Sequence, residues 1–264
     1  MAEARSMISR RLLAILACSA VLSLAPSIAG ADAEHEGTFW TGYMSSWWLD
    51  PSWALWFDTH YNLDTFFLLR GGVTHAFEAG PTVTAGYAWL LLNPEFEREE
   101  HRPWAQVFVP IPLNDDWSLS GRFRMDFRFL DSVENGEVTD GTDFAFRTRF
   151  QTTLTRRFAP IRWGKPFAQI SHELLLNAAS DPHRDVVDQN RVSLLFGLET
   201  KWVTIRTGYM NRYLPSARGG NGLDEHSFIV WFTQRINLRE KKQRLKQNQK
   251  QKIDYDDYPE YGGP

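Results

Sequence analysis

The segment Gly121 to Leu130 constrains the fold more than any other part of the chain. Phe123, Met125, Phe127 and Phe129 alternate there with Arg122, Arg124, Asp126 and Arg128. Successive side chains of a strand point to opposite faces, so one face is wholly apolar and the other wholly charged. A helix would scatter both sets around its circumference. The same period of two recurs elsewhere. Phe144, Phe146, Phe150, Thr152 and Leu154 oppose Arg147, Arg149 and Gln151. Val192, Leu194, Phe196 and Leu198 oppose Arg191, Ser193 and Glu199, while Ala105, Val107 and Val109 oppose Glu100, Arg102, Trp104 and Gln106. Period two dominates from Thr38 to Leu238, which predicts an all-β protein.

Alternation alone fits a soluble sandwich as well as a barrel with its apolar face outward. Three features favour a transmembrane barrel. The strand-like runs commonly reach about ten residues, the length a tilted membrane strand needs. Trp53, Trp117 and Trp202 stand at strand starts beside short turns, where an interfacial girdle would lie. Connections also alternate in length: Glu78 to Gly80, Leu113 to Asp116 and the region of Thr200 are tight, whereas 93–100, 131–141, 178–188 and 214–224 are longer and polar. Short periplasmic turns and long outer loops are the asymmetry of outer-membrane barrels. The 14% aromatic content, with Trp occurring 11 times, suits a chain that must line two interfaces.

The expected strands are 38–48, 53–61, 65–77, 81–92, 101–112, 117–130, 142–156, 166–177, 189–199, 201–213 and 226–238. Bacterial single-chain barrels have even counts. The expectation is therefore about 10–12 antiparallel strands, with twelve preferred: either 38–48 lies outside a ten-stranded wall, or one strand is hidden.

The first 33 residues read as an export signal of the kind that directs a Gram-negative outer-membrane protein. Arg5, Arg10 and Arg11 precede an apolar run from Leu12 to Leu24, and Ala31-Asp32-Ala33 offers a small-x-small cleavage pattern before Glu34. The only cysteine, Cys18, lies inside the apolar run. A lipid-attachment site there is the alternative, but the apolar sequence continues past it. The expected organisation is a signal peptide at 1–33, a barrel at 34–238 and a charged, disordered tail at 239–264. The 29 basic and 32 acidic side chains nearly balance, which argues against a nucleic-acid partner.

Several motifs carry a family resemblance. They are Glu100-His101-Arg102-Pro103-Trp104-Ala105-Gln106, Arg122-Phe123-Arg124-Met125-Asp126-Phe127-Arg128 and Phe146-Arg147-Thr148-Arg149, then Asn190-Arg191 with Gly197-Leu198, Gly208-Tyr209 and His226. In this order the chain resembles an uncharacterised bacterial outer-membrane β-barrel family, a domain of unknown function, over Thr38 to Leu238. The resemblance implies the fold and an outer-membrane location, and no activity.

The polar strand faces supply the candidate site. Glu100, Arg102, Arg122, Arg124, Asp126, Arg128, Arg147, Arg149, Glu173, Arg191 and Arg206 converge in the lumen if the apolar faces meet lipid. Charge there must be paired or wet, so arginine–carboxylate networks are expected. They either fill a structural barrel or line a narrow channel for small anionic solutes. A barrel enzyme acting on membrane lipids and a soluble lipocalin-like periplasmic protein are the alternatives. Ser171-His172-Glu173 holds three catalytic residue types, yet adjacent strand residues face opposite ways and form no triad by themselves. His101, His172 and His226 are too scattered for a metal-site spacing, and His35, His60, His75 and His183 read as strand-end or loop residues. No cofactor is expected. The expected partners are outer-membrane lipids and the assembly machinery.

Overall fold

The computed structural model describes residues 34–238 apart from 64, 93–97, 135, 178–185 and 216–221. The expected export signal, the polar tail and His183 lie outside the described residues. Eleven strands follow one another: β1 (Glu34–Trp48), β2 (Trp53–Asn62), β3 (Phe66–Ala76), β4 (Thr82–Leu92), β5 (Arg98–Pro112), β6 (Trp117–Glu134), β7 (Glu137–Arg157), β8 (Lys165–Asn177), β9 (Val187–Glu199), β10 (Thr204–Leu214) and β11 (Leu223–Asn237). Each pairs antiparallel with the next, and β1 closes the barrel on β11. Among the described residues no helix is long and apolar enough to cross a membrane.

The count corrects two expectations. No twelfth strand exists among the described residues, and residues 38–48 belong to the wall. An odd number of alternating strands makes the first and last run the same way, so the closing pair has to be parallel. That seam runs in unbroken register from Glu34 opposite Leu223 to Trp48 opposite Asn237. Side chains hold it on both faces. Phe39 stacks on Phe228 with ring centroids 6.2 Å apart on the outside, and Trp40 meets Trp231 edge-on at 5.5 Å on the inside. Tyr43 Oη also donates to Gln234 Oε1 at 2.8 Å.

Residues 131–134 and 137–141 are strand rather than loop. The β6–β7 hairpin continues through Val133 opposite Val138, past a register shift between Asp131 and Val133, and turns at Gly136. Its polar residues on both faces hide the period of two, with only Val133 and Val138 exposed as apolar side chains.

The opposite rim is built from a repeated local device. Asp50 Oδ1 accepts from the backbone N–H groups of Ser52 and Trp53 at 2.7 and 2.8 Å. Asn114 Oδ1 does the same for Asp116 and Trp117, and Thr200 Oγ1 for Trp202 and Val203. In these three turns a short side-chain acceptor closes the chain, with Trp53 and Trp117 at the heads of β2 and β6 and Trp202 two residues before β10. Trp53, Trp163 and Trp202 are exposed at this rim.

Alternation sorts the remaining side chains as read from the sequence. The outer wall is a belt of exposed apolar residues that includes Leu55, Leu69, Tyr87, Phe127, Phe150, Ile170, Leu194, Phe196 and Phe228. The interior takes the polar set.

Candidate functional site

The lumen is filled at its waist by an ion-paired lattice. Three neighbouring strands start it. Asp126 on β6 accepts from Arg124 Nε at 2.6 Å and from Arg147 Nη2 on β7 at 3.0 Å, with Arg149 Nη1 at 3.7 Å. Pairing of Arg124 with Arg149 and of Asp126 with Arg147 across β6 and β7 is what brings these groups level. Arg149 then reaches Glu173 on β8 through two hydrogen bonds, at 2.9 and 3.0 Å. Glu173 also receives Arg122 at 2.6 Å and Arg191 of β9 at 3.3 Å. Arg147 ties in Asp188 at 2.9 Å.

A second node lies on β5. Glu100 accepts from Arg102 Nε at 2.6 Å and from Arg128 through both carboxylate oxygens, at 2.8 and 2.9 Å. Arg102 and Arg147 are themselves buried. A third node joins β2 and β3, where Asp58 takes Arg70 Nε at 2.9 Å and stands 3.8 Å from His60 Nε2. Arg212 and Glu225 pair on β10 and β11, and Ser227 Oγ donates to Glu225 at 2.8 Å.

Trp104 joins the nodes. Its ring lies 4.4 Å from the Arg124 guanidinium carbon and 5.1 Å from that of Arg70. Such contacts add about 0.5–1 kcal/mol each when exposed and about 2 kcal/mol or more when desolvated. Gly72 and Gly86 face each other behind the indole, and Gly72 leaves it room at the wall. A Cβ on Gly72 would stand 3.2 Å from the Trp104 ring, and one on Gly86 would stand 2.1 Å from the Gly71 carbonyl oxygen.

The result is a tightly paired centre. Glu100 and Asp126 are 0% exposed and Arg124 is 1% exposed, although all three face the lumen. Of the guanidinium side chains around them, Arg149 and Arg122 keep some contact with solvent, at 11% and 23%. Below the waist, towards the turn rim, the interior opens into a cavity of about 190 Å³ lined by Thr155, Arg157, Phe167, Gln169, Glu199, Thr204, Arg206 and Thr233.

Ten of the eleven residues chosen from the sequence meet in these nodes. Arg206 stands apart, at the lower cavity, where it donates to Thr233 Oγ1 at 2.5 Å. Sequence reasoning missed Asp58, His60, Arg70, Asp188, Arg212 and Glu225. Asp58 and His60 do sit at alternate positions of Phe57-Asp58-Thr59-His60, but the aromatics around them mask the pattern. His60 corrects the reading of it as a peripheral residue: its side chain is 11% exposed and packs edge-on against Trp231, with ring centroids 4.9 Å apart.

The Ser171-His172-Glu173 run divides between the two faces as expected. Ser171 Oγ bonds Ser193 Oγ at 2.6 Å, Glu173 is held by arginines, and His172 Nε2 bonds Asn190 Oδ1 at 2.7 Å.

These features define a class: a closed β-barrel, apolar outside, with an ion-paired polar interior. Within it, the chain belongs to the family described as a protein of unknown function (DUF2490), whose model matches residues 37–222. The match leaves out β11, the strand on which the barrel closes. Among solved structures the chain is similar to the NanC porin, at 12% identity over 72% of this chain and 94% of that one, with a TM-score of 0.42. So distant a likeness leaves the role to be argued from this chain's own residues. No curated protein matches the chain.

Proposed function

We propose that the protein is an outer-membrane barrel sealed at its waist by its own side chains, with a structural rather than a conducting role in the envelope. The observation that carries this reading is the near-zero exposure of Glu100, Arg124 and Asp126 inside a closed barrel. The exposed apolar belt supports a lipid partner, since such a surface aggregates in water. Tryptophans at the turn rim support insertion with the turns in the periplasm, delivered by the machinery that assembles such barrels.

A sealed barrel also accounts for the pairing. A guanidinium removed from water needs a carboxylate with good geometry, or its desolvation is not offset. Nearly every waist carboxylate accepts two or more donors, which is more than transient solute contact requires. One observation favours a second reading, a narrow anion-selective passage: among the described residues, nine guanidiniums (Arg70, Arg102, Arg122, Arg124, Arg128, Arg147, Arg149, Arg191 and Arg212) pair with six carboxylates inside the barrel. That excess of positive charge would attract anions wherever the lattice parts.

Planar-bilayer conductance separates the two. Protein shown to be folded by its heat-dependent gel shift is expected to insert silently. Removing the indole that joins the nodes, by Trp104→Ala, is expected to introduce small discrete steps. Steady anion-selective steps from the unaltered protein would overturn the sealed reading in favour of the channel.

A further inference from the structure

A second polar group sits outside the barrel, on the outer face of the parallel seam, and its argument is independent of whether the waist is sealed. His35 of β1 and Asp224 and His226 of β11 lie towards the loop rim, just beyond the stacked Phe39–Phe228 pair. Parallel register sets His35 opposite Asp224 and Gly37 opposite His226. Gly37 has no side chain to part the two imidazoles, whose rings lie 5.6 Å apart and within 25° of parallel.

The distances run between the same three atoms. His35 Nδ1 is 3.4 Å from His226 Nε2 and 3.5 Å from Asp224 Oδ2, and Asp224 Oδ2 is 3.7 Å from His226 Nε2. These are long for hydrogen bonds. They suit shared coordination: around a tetrahedral zinc ion with bonds of about 2.0–2.1 Å, neighbouring donors stand about 3.3–3.5 Å apart. The donors therefore form a nearly equilateral triangle of the size one such ion spans.

Outer contacts already orient two of the three ligands. Tyr209 Oη lies 2.6 Å from His226 Nδ1, and Asn211 Nδ2 donates to Asp224 Oδ1. A tyrosine oxygen accepting from Nδ1–H leaves the Nε2 lone pair for a metal, the arrangement in which second-contact groups fix ligand tautomers. The His35 side chain is 66% exposed, so its ring is free to turn Nδ1 towards the common centre.

We propose that His35, Asp224 and His226 bind a divalent transition-metal ion, zinc in the first instance, that clips the first strand of the barrel to the last. Two imidazoles and one carboxylate suit zinc-like ions and disfavour calcium and magnesium, which take oxygen ligands. Three protein ligands leave a fourth position for water. Binding only to the closed barrel stabilises it by mass action, at the strand pair that no hairpin connects.

The fold supplies its own control. Tyr87, His101 and Glu99 repeat the arrangement, with Tyr87 Oη 2.6 Å from His101 Nδ1 and His101 Nε2 3.6 Å from Glu99, but they include one imidazole only.

The test is a titration of the folded, chelator-stripped barrel in micelles, with zinc by calorimetry and with cobalt by its visible absorption. One ion per barrel is expected, with a cobalt spectrum of nitrogen and oxygen ligation and a rise in the temperature of the gel-shift transition. His35→Gln and His226→Gln should each weaken binding by more than the roughly 10- to 100-fold that loss of a ligand's outer partner causes, while His101→Gln should not change it. The exposed His35 position keeps that variant folded, as its gel shift would verify. Absence of saturable binding by the unaltered protein, or undiminished binding by the His35→Gln, His226→Gln double variant, would overturn the site.

Discussion

At the scale of single residues, one strand shows how differently its two faces respond to change. Phe127 is exposed on the outer wall and pairs with Phe146 at a ring separation of 5.0 Å, whereas its neighbour Arg128 faces inward onto Glu100. If the outer wall meets lipid as proposed, Phe127→Arg places a charge in hydrocarbon, which costs about 2–4 kcal/mol near the midplane of a bilayer. Arg128→Ser removes one of two guanidiniums from Glu100 and leaves Arg102 in place at 2.6 Å. Folding yields in lipid vesicles should therefore fall far more for Phe127→Arg than for Arg128→Ser. Equal yields would mean that the outer wall does not meet hydrocarbon. This assignment of faces was legible in the sequence, because Phe123 to Phe129 alternate without a break. His35 and His226 were not, since 191 positions separate them and only the closing pair brings their rings together.

At the scale of elements, all eleven strands were legible, and their closure was not. Hydrophobic period fixes which residues share a face but carries no sign of direction, so it does not distinguish a parallel seam from a missing strand. The outer belt of β1 and β11 supplies the test. Parallel register puts Phe39 opposite Phe228 and Tyr43 opposite Phe232. Cysteines at either of these two pairs, Phe39→Cys with Phe228→Cys or Tyr43→Cys with Phe232→Cys, should cross-link under mild oxidation in the folded barrel. The exchanged pair, Phe39→Cys with Phe232→Cys, should not, because those positions are four residues out of step and a disulfide spans no more than about 7 Å between Cα atoms. Cross-linking of the exchanged pair alone would show an antiparallel closure, and no cross-link in any pair would place β1 outside the wall.

At the scale of the whole molecule, an odd strand count has a consequence for topology. β1 begins at the rim of the long connections, and β11 ends at the rim of the capped turns, so Glu34 and Asn237 stand at opposite ends of the barrel. In an even-stranded barrel the corresponding residues would share a rim. The insertion proposed above, with the turns in the periplasm, puts the start of β1 on the outside of the cell, next to the His35 cluster, and the end of β11 on the inside. Cysteines placed at Glu36 and at Asn237, in a chain whose only native cysteine is Cys18, make this measurable with a membrane-impermeant maleimide. In intact cells Glu36→Cys should be labelled and Asn237→Cys should react only after the outer membrane is breached. The reverse pattern would invert the barrel in the membrane while keeping its eleven strands. Equal labelling of both sites in intact cells would contradict the odd-stranded closure itself, because a barrel whose ends lie on opposite sides of a membrane cannot present both to the same compartment.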